Sequence, residues 1–119
     1  MRWSDERGQI SVICDRPIGS ILEILSLKGS KRSNHYHKTD WHLMYIVSGS
    51  MDYYDRPAGS SDIPRIRHLK TGGMVETPPM VEHTCVFLED TVLLAFSGSK
   101  RDEESYANDM VKSADLSAV

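Results

Sequence analysis

The stretch Gly29–Gly49, with the sequence GSKRSNHYHKTDWHLMYIVSG, contains three of the five histidines in this chain of 119 residues. His35 and His37 are two positions apart, so on a β-strand both rings leave the same face. A turn after His37 would bring them close to His42, which begins the apolar run 42–47. Imidazole is the commonest metal ligand because its ring offers a lone pair near neutral pH. The stretch therefore predicts a histidine-rich metal centre inside a β-structure.

A fourth histidine follows a second pattern of glycine and proline further along the chain. Residues 72–83 read GGMVETPPMVEH, which gives a glycine turn, a short strand, two prolines and then His83. Proline has no N–H to donate to a neighbouring strand, so one strand is predicted to end at the diproline 78–79 and the next to begin after it. His83, Cys85 and Phe87 would share one face of that next strand. His83 is thus the fourth candidate ligand.

The spacing of these residues resembles the paired motifs of the cupin superfamily. In this chain the pattern is carried, in order, by Gly29, His35, His37, His42, Gly49, Gly72, Pro78 and His83. The resemblance covers roughly residues 20–97. It implies an all-β fold of the double-stranded β-helix type, the jelly-roll barrel of cupins.

Three positions depart from the family pattern. Cupins usually carry a glutamate at the position of His42, a glycine at that of Met80 and an asparagine at that of Phe87. The resemblance therefore implies a four-histidine metal site composed of His35, His37, His42 and His83. Such a site favours a divalent transition metal, namely Zn, Fe, Mn, Ni or Cu, over Mg(II) or Ca(II), which prefer oxygen. Whether His42 is a ligand stays open, because three histidines suffice for an open catalytic site.

The rest of the chain is a series of short apolar runs separated by turn residues. The predicted strands are 9–14, 19–28, 42–47, 50–55, 65–69, 83–88 and 91–97, with one more strand or a short helix at 106–112. Residues 56–64 are rich in proline, glycine and serine and are predicted to form a loop. The last seven residues, 113–119, are expected to fray. This pattern independently predicts an all-β barrel or sandwich.

The length predicts a single domain over residues 1–119. Its barrel core would lie at about 20–97, flanked by N-terminal strands and by a C-terminal strand and tail. The N-terminal runs are apolar on both faces, which implies a sandwich or an interface. Since small cupins commonly pair through such strands, we predict a homodimer.

The composition predicts a small-molecule partner. The formal net charge is −3, the isoelectric point is about 5.9, and the lysines and arginines are scattered. Such a chain lacks the basic surface that nucleic acid requires. The first residues lack the apolar core of a signal peptide, and no run is long enough to cross a bilayer. With Cys14 and Cys85 expected as free thiols, and Cys85 buried, we predict a cytoplasmic protein without membrane or nucleic-acid partners.

Two neighbouring tyrosines are candidates for proton transfer. Tyr53 and Tyr54 are adjacent in the run 50–55, so one of them points inward whichever register holds. A phenol inside a barrel is available to chemistry, although aromatic residues are also ordinary strand formers. The catalytic candidates are therefore His35, His37, Tyr53 and Tyr54.

Charged residues near the motifs are candidates for binding. Arginine can hold a phosphate or carboxylate through two N–H groups, and the candidate substrate-binding residues are Arg32, Arg65 and Arg67. Asp40 and Glu82 flank the histidines and either orient a ring or are only loop residues. His68 lies outside both motifs, so we leave it out of the metal set.

Two enzyme classes and one binding function fit this site. The run 28–38, KGSKRSNHYHK, resembles the small sugar-nucleotide branch of cupins, which includes rhamnose-pathway epimerases and ketoisomerases. That resemblance implies an isomerase or epimerase that acts on a keto-sugar or nucleotide-sugar by proton abstraction next to a carbonyl. If no metal is bound, His35 or His37 would be the base. The second class is a metal-dependent dioxygenase, lyase or cyclase with four histidines. The third possibility is a non-catalytic module that binds a small ligand.

Overall fold

The computed structural model describes residues 2–119, and most of its regular structure is β-strand. The strands are β1 (Arg2–Asp5), β2 (Gly8–Ser11), β3 (Ser20–Ser26), β4 (Lys31–His37), β5 (His42–Ser48), β6 (Ser50–Pro57), β7 (Arg65–Lys70), β8 (Met74–Thr77), β9 (Val81–Phe87), β10 (Thr91–Ser97) and β11 (Met110–Lys112). One α-helix, α1 (Glu103–Asp109), precedes β11, and a 3-10 helix spans Leu116–Ala118. The predicted all-β class is confirmed.

Two antiparallel sheets form the barrel. One has four strands in the order β3-β10-β5-β8, and the other has five in the order β11-β4-β9-β6-β7. Most neighbours in each sheet are far apart in sequence, as a jelly roll requires. The inward residues of both sheets meet in one core, composed of Met44, Ile46, Met51, Tyr53, Val75, Cys85, Phe87, Leu93 and Ala95. The predicted jelly-roll architecture is confirmed.

The N-terminal part differs from the prediction. The predicted strand 9–14 is wrong in its bounds, because the ladder of β2 ends at Ser11. Its partner is β1, in which Trp3 pairs with Ile10. The RWSD sequence of β1 has no apolar run, so periodicity gave no signal for it. The two strands form a separate two-stranded sheet.

The C-terminal part also differs. The segment predicted as strand or helix contains both, since α1 leads directly into β11. The carboxylate of Asp102 accepts a hydrogen bond from the Ser105 N–H (2.9 Å) and so caps the helix at its start. The prediction that residues 113–119 fray is wrong. Leu116 is buried, and its N–H donates to the Thr84 hydroxyl at 3.0 Å, which fixes the tail against β9.

The described helices include none that is both long and apolar enough to cross a membrane.

Candidate active site

The four motif histidines come together at one end of the barrel. His35 and His37 lie on β4, His42 is the first residue of β5, and His83 lies on β9. The antiparallel ladder between β4 and β9 sets His35 directly opposite His83. Alternation along β4, together with the diproline that precedes β9, therefore places the four predicted histidines near one another.

A β-bulge in β4 sets the direction of these rings. The register between β4 and β9 shifts between Ser33 and His35. Ser33 and Asn34 both have positive φ angles, 76° and 55°, which is unusual for residues other than glycine. The side-chain oxygen of Asn34 accepts a hydrogen bond from the Thr84 hydroxyl at 2.8 Å, and this bond holds the bulge. Bulges of this kind re-aim the residues that follow them.

The rings form two overlapping groups that share His37. Nitrogens of His35, His37 and His83 all lie within 4.8 Å of one another, and so do ligand atoms of His37, Asp40 and His42. The ring centroids of His37 and His42 are 4.1 Å apart and stacked. Over residues 2–119 the structure does not place the four histidines as one compact set. Its geometry divides them into a three-histidine group with His42 and Asp40 beside it.

His37 is held by a carboxylate that the sequence analysis did not identify. Its Nδ1 lies 2.9 Å from the Asp109 carboxylate, which also accepts hydrogen bonds from the N–H and hydroxyl of Thr39 at 2.7 and 2.8 Å. Burial alone would raise the pKa of Asp109, but the Thr39 and His37 hydrogen bonds lower it below its usual value. An ionised carboxylate only accepts, so Nδ1 donates to it, and in the neutral ring Nε2 is then the nitrogen with the lone pair.

The Nε2 atom of His37 is the chemically open position of the site. It is buried and has no hydrogen-bond partner within the described residues. Buried polar atoms are nearly always hydrogen-bonded, so an orphaned ring nitrogen beside two other imidazoles indicates a place for a ligand or a proton. A carboxylate on one ring nitrogen with the other nitrogen free is also the usual arrangement of a metal-binding histidine.

The neighbouring rings are uncharged near neutral pH. Burial, reinforced by repulsion from the other imidazoles, lowers the pKa of His35 to about 3. Burial lowers the pKa of His83 to about 4, and its Nδ1 donates to the Val81 carbonyl at 3.1 Å, which leaves Nε2 free to accept. His35 and His83 can therefore bind a divalent transition metal without first releasing a proton.

His42 has a carboxylate partner of its own. Its Nε2 lies 3.3 Å from the Asp40 carboxylate, and Asp40 is held by hydrogen bonds from the Trp41 and Gly98 N–H groups. Burial and His37 lower the pKa of His42 to about 4, and Asp40 offsets part of that shift. Asp40 is therefore a residue that orients a ring. The other flanking acid, Glu82, forms an ion pair with Arg56 instead.

The two predicted tyrosines have different environments. Tyr53 is fully buried, its ring centroid lies 6.0 Å from that of His83, and its hydroxyl is 2.5 Å from the Thr77 hydroxyl. Burial raises the pKa of Tyr53, so this phenol stays protonated. Tyr54 projects from the opposite face of β6, away from the barrel interior, and the structure does not bring it to the histidines.

A third tyrosine, which the sequence analysis did not select, lies beside the histidines. The ring centroid of Tyr106, on α1, is 5.9 Å from that of His37 and 6.4 Å from that of His35. The Arg101 guanidinium stacks on its outer side at 3.7 Å. Neither Tyr106 nor Asp109 belongs to a motif, so no local signal in the sequence marked them.

The predicted substrate-binding arginines are engaged with the protein itself. Arg65 and Arg67 each lie 2.9 Å from the buried carboxylate of Asp55. Arg32 donates to the Ser26 hydroxyl at 2.7 Å and to a backbone carbonyl of β3. Arg32 nevertheless borders an open cleft of about 500 Å³ whose other lining residues include Lys31, Asn34, His35, Tyr106 and Lys112. This cleft is basic and leads to His35.

Asparagine at position 109 should weaken the site while leaving its shape. Asp109→Asn keeps the side-chain size but removes the charge that fixes the His37 tautomer, and losses of about 10–100-fold in activity or metal affinity are typical of such changes. Turnover and metal competition against a chelator measure the effect. The exposed pair His68–Asp52 has the same 2.9 Å geometry, so Asp52→Asn is the matched control and should change neither quantity. Equal effects of both substitutions would contradict a special role for Asp109.

Comparisons with known proteins relate the fold to solved structures. No family model matches the sequence, and no curated protein matches it. The capsular polysaccharide assembling protein CapF from Staphylococcus aureus superposes with a TM-score of 0.74 at 19% identity, over 95% of this chain and 34% of CapF. This chain thus spans about a third of the length of CapF.

Two sugar-modifying enzymes superpose over a larger share of their own length. The sugar 3,4-ketoisomerase QdtA from Thermoanaerobacterium thermosaccharolyticum gives a TM-score of 0.74 at 19% identity, over 94% of this chain and 82% of QdtA. The 3′-monoepimerase ChmJ from Streptomyces bikiniensis gives 0.72 at 16% identity, over 87% and 63%. At these identities the likeness concerns the fold alone, and it agrees with the predicted jelly-roll barrel.

Proposed function

We propose that this chain is an isomerase or epimerase that moves a proton next to the carbonyl of a nucleotide-linked keto-sugar. The observation that carries the proposal is the pair of buried His37 and half-buried Asp109, in which the Nε2 atom of His37 has no partner. Proton abstraction beside a carbonyl needs a base whose charged form is stabilised, and a carboxylate behind an imidazole provides that stabilisation.

The substrate class is supported by the superposed enzymes. QdtA was solved in complex with TDP and ChmJ in complex with dTDP-quinovose. The basic cleft beside His35 suits a substrate that carries a diphosphate, because Lys31, Arg32 and Lys112 border it. Similarity of fold alone does not identify a substrate. Here the basic cleft and the His37–Asp109 pair both support a nucleotide-linked keto-sugar.

The chain's own residues would share the proton transfer as follows. His37 Nε2 takes the proton from the carbon next to the carbonyl, and the electron pair of that C–H bond moves into an enolate. Asp109 stabilises the imidazolium through the Nδ1–H bond. Return of a proton to the opposite face of the same carbon gives epimerisation. For isomerisation, the hydroxyl on that carbon passes its proton to the former carbonyl oxygen, and the former carbonyl carbon then takes the proton back from His37, so the carbonyl moves to the neighbouring carbon. Tyr106 and His35 lie on either side of His37, where each would donate a hydrogen bond to the substrate oxygen.

A metal-binding function is the second candidate, and the unpartnered Nε2 atom of His37 supports it as well. His35, His37 and His83 offer three imidazole nitrogens, a set that suits Zn, Fe, Mn, Ni or Cu and leaves further positions open. When bound, such an ion acts as a Lewis acid on a substrate oxygen. His37 Nε2 has one lone pair, so it can accept a substrate proton or bind a metal, but not both. The metal-dependent dioxygenase, lyase and cyclase classes belong to this second candidate.

One experiment separates the two candidates. Protein purified without an affinity tag is assayed for metal content and then incubated with TDP-4-keto-6-deoxyglucose in D₂O, with and without a chelator. We expect deuterium at the carbon next to the carbonyl, and retention of that exchange in chelator assigns the reaction to the metal-independent first candidate. Exchange that requires a stoichiometric metal assigns the site to the second candidate. No exchange under either condition, with or without added metal, would overturn the proposed reaction.

The predicted homodimer and cytoplasmic location are proposals as well. Cys14 and Cys85 are both free thiols in the part of the chain that the structure describes. Burial raises the pKa of Cys85 to about 11, so that thiol is unreactive. Two unpaired thiols are what a reducing compartment allows.

A further inference from the structure

The reactive atom of the candidate site is closed off from solvent. His37 is 2% exposed, and its Nε2 atom is buried. The open cleft of about 500 Å³ beside the site is lined by His35 and Tyr106 but not by His37. A ligand in this cleft therefore contacts His35 and Tyr106 and stops short of His37. Both candidate functions need a ligand at His37 Nε2, so part of the structure has to move.

Helix α1 covers the histidines but is weakly attached to the barrel. None of its residues is fully buried, and only Tyr106 and Asp109 are half-buried. Within the described chain, residues 100–108 make their hydrogen bonds among themselves and with Met110, as in the bond from the Tyr106 N–H to the Asp102 carbonyl at 3.0 Å. A segment with so few buried contacts opens at a low cost in free energy.

The space behind Tyr106 is too small to admit a ligand. A second cavity lies between α1 and the residues that follow β10, and its lining includes Ser99, Ser105, Tyr106 and Asp109. Its volume is about 10 Å³, which is at most the room that one water molecule needs. The Arg101 guanidinium stacks on Tyr106 at 3.7 Å, and both residues belong to the segment 100–108. This stack therefore moves with the segment and does not fasten it to the barrel.

The segment 100–108 begins and ends at residues that are fixed to the barrel. Before it, the Ser99 carbonyl accepts hydrogen bonds from the Ser20 and Ser97 hydroxyls, both at 2.9 Å. After it, the Asp109 carbonyl accepts from the Lys38 N–H at 3.0 Å, in addition to the bonds that the Asp109 carboxylate makes. Hinges are commonly residues at the ends of such elements.

We propose that residues 100–108 form a lid, hinged at Ser99 and Asp109, which lifts to admit a ligand from the cleft to His37 Nε2. Tyr106 is the side chain that blocks the way when the lid is closed. Because Asp109 is a hinge and does not travel with the lid, its bond to His37 stays made in both states, and the ring is oriented before the ligand arrives. Closure over the ligand then excludes water. The inference holds for either candidate function, since each needs access to the same atom.

Chemical modification of the histidines measures the opening. Diethyl pyrocarbonate acylates accessible neutral imidazoles, and mass spectrometry gives the rate at each histidine. We expect the rate at His37 to rise at least tenfold in Tyr106→Ala, whereas exposed His68 is the internal reference and should keep its rate. Tyr54→Ala is the matched control, because that ring projects from the outer face of β6. A folded Tyr106→Ala protein in which His37 reacts no faster than in the wild type would overturn the proposal.

A covalent bridge from the lid to its hinge tests whether the lid must move. Ser99→Cys and Ser105→Cys, in a Cys14→Ser background, place two thiols on one small cavity, where dibromobimane joins them. Cys85 is buried and stays in place. We expect bridging to slow modification of His37 at least tenfold and to leave His68 unchanged. Equal rates before and after bridging would contradict the lid and indicate another route, whereas a slowed rate in a protein that shows no deuterium exchange would support the lid and contradict only the proposed reaction.

Discussion

Replacing His37 with alanine should remove whichever of the two proposed functions the site has, proton transfer or metal binding, while the barrel stays folded. The ring is buried, and its Nε2 is the atom on which both candidate functions depend. Loss of a positioned acid or base lowers turnover by about 10²–10⁴-fold. The backbone ladder of β4 does not involve the ring, so the strand pairing with β9 and β11 should persist.

The measurements are deuterium exchange into the keto-sugar, metal content by elemental analysis, and circular dichroism. His68→Ala is the control, since His68 is an exposed strand residue bonded to Asp52 and lies outside the cluster. It should leave all three quantities unchanged. Full exchange and full metal occupancy in a folded His37→Ala protein would remove His37 from the site.

Replacing Gly49 with alanine should destabilise the fold strongly. Gly49 joins β5 to β6 with a φ of +100°, a conformation that side chains with a Cβ rarely adopt. An added Cβ would meet the Asp90 carbonyl oxygen at 2.7 Å and the Thr91 Cα at 2.8 Å. A left-handed residue costs about 1–2 kcal/mol and overpacking about 1–3 kcal/mol, so the free energy of unfolding should fall by about 2–5 kcal/mol.

Denaturant unfolding followed by circular dichroism gives this change in free energy. Gly29→Ala is the matched control, because Gly29 also has a positive φ, +84°, but no atom beyond its two neighbours in the chain lies within 4 Å of the added Cβ. It should lose only the conformational part, about 1–2 kcal/mol. Equal losses in the two variants would show that contact with the 90–91 turn contributes nothing.

Much of the site could be predicted from the sequence because it depends on local chain geometry. Alternation along a strand decides that His35 and His37 share a face, and the same rule sets His83, Cys85 and Phe87 inward. The diproline before β9 ends one strand and starts the next, whatever the remainder of the fold is. These rules act over a few residues, so they determined the strands, the barrel class and the candidate histidines.

The tertiary structure alone decided which side chains act together. Asp109 contacts His37 across 72 positions of sequence, and Tyr106 lies with it on α1, a segment that the sequence pattern could not assign to helix or strand. The contact between His42 and Asp40 and the ion pair between Arg65 and Asp55 also depend on strand register. Register and strand order are set by the burial of the whole core rather than by any one segment. For that reason the ring orientations, and the separate two-stranded sheet of β1 and β2, could be seen only in the folded chain.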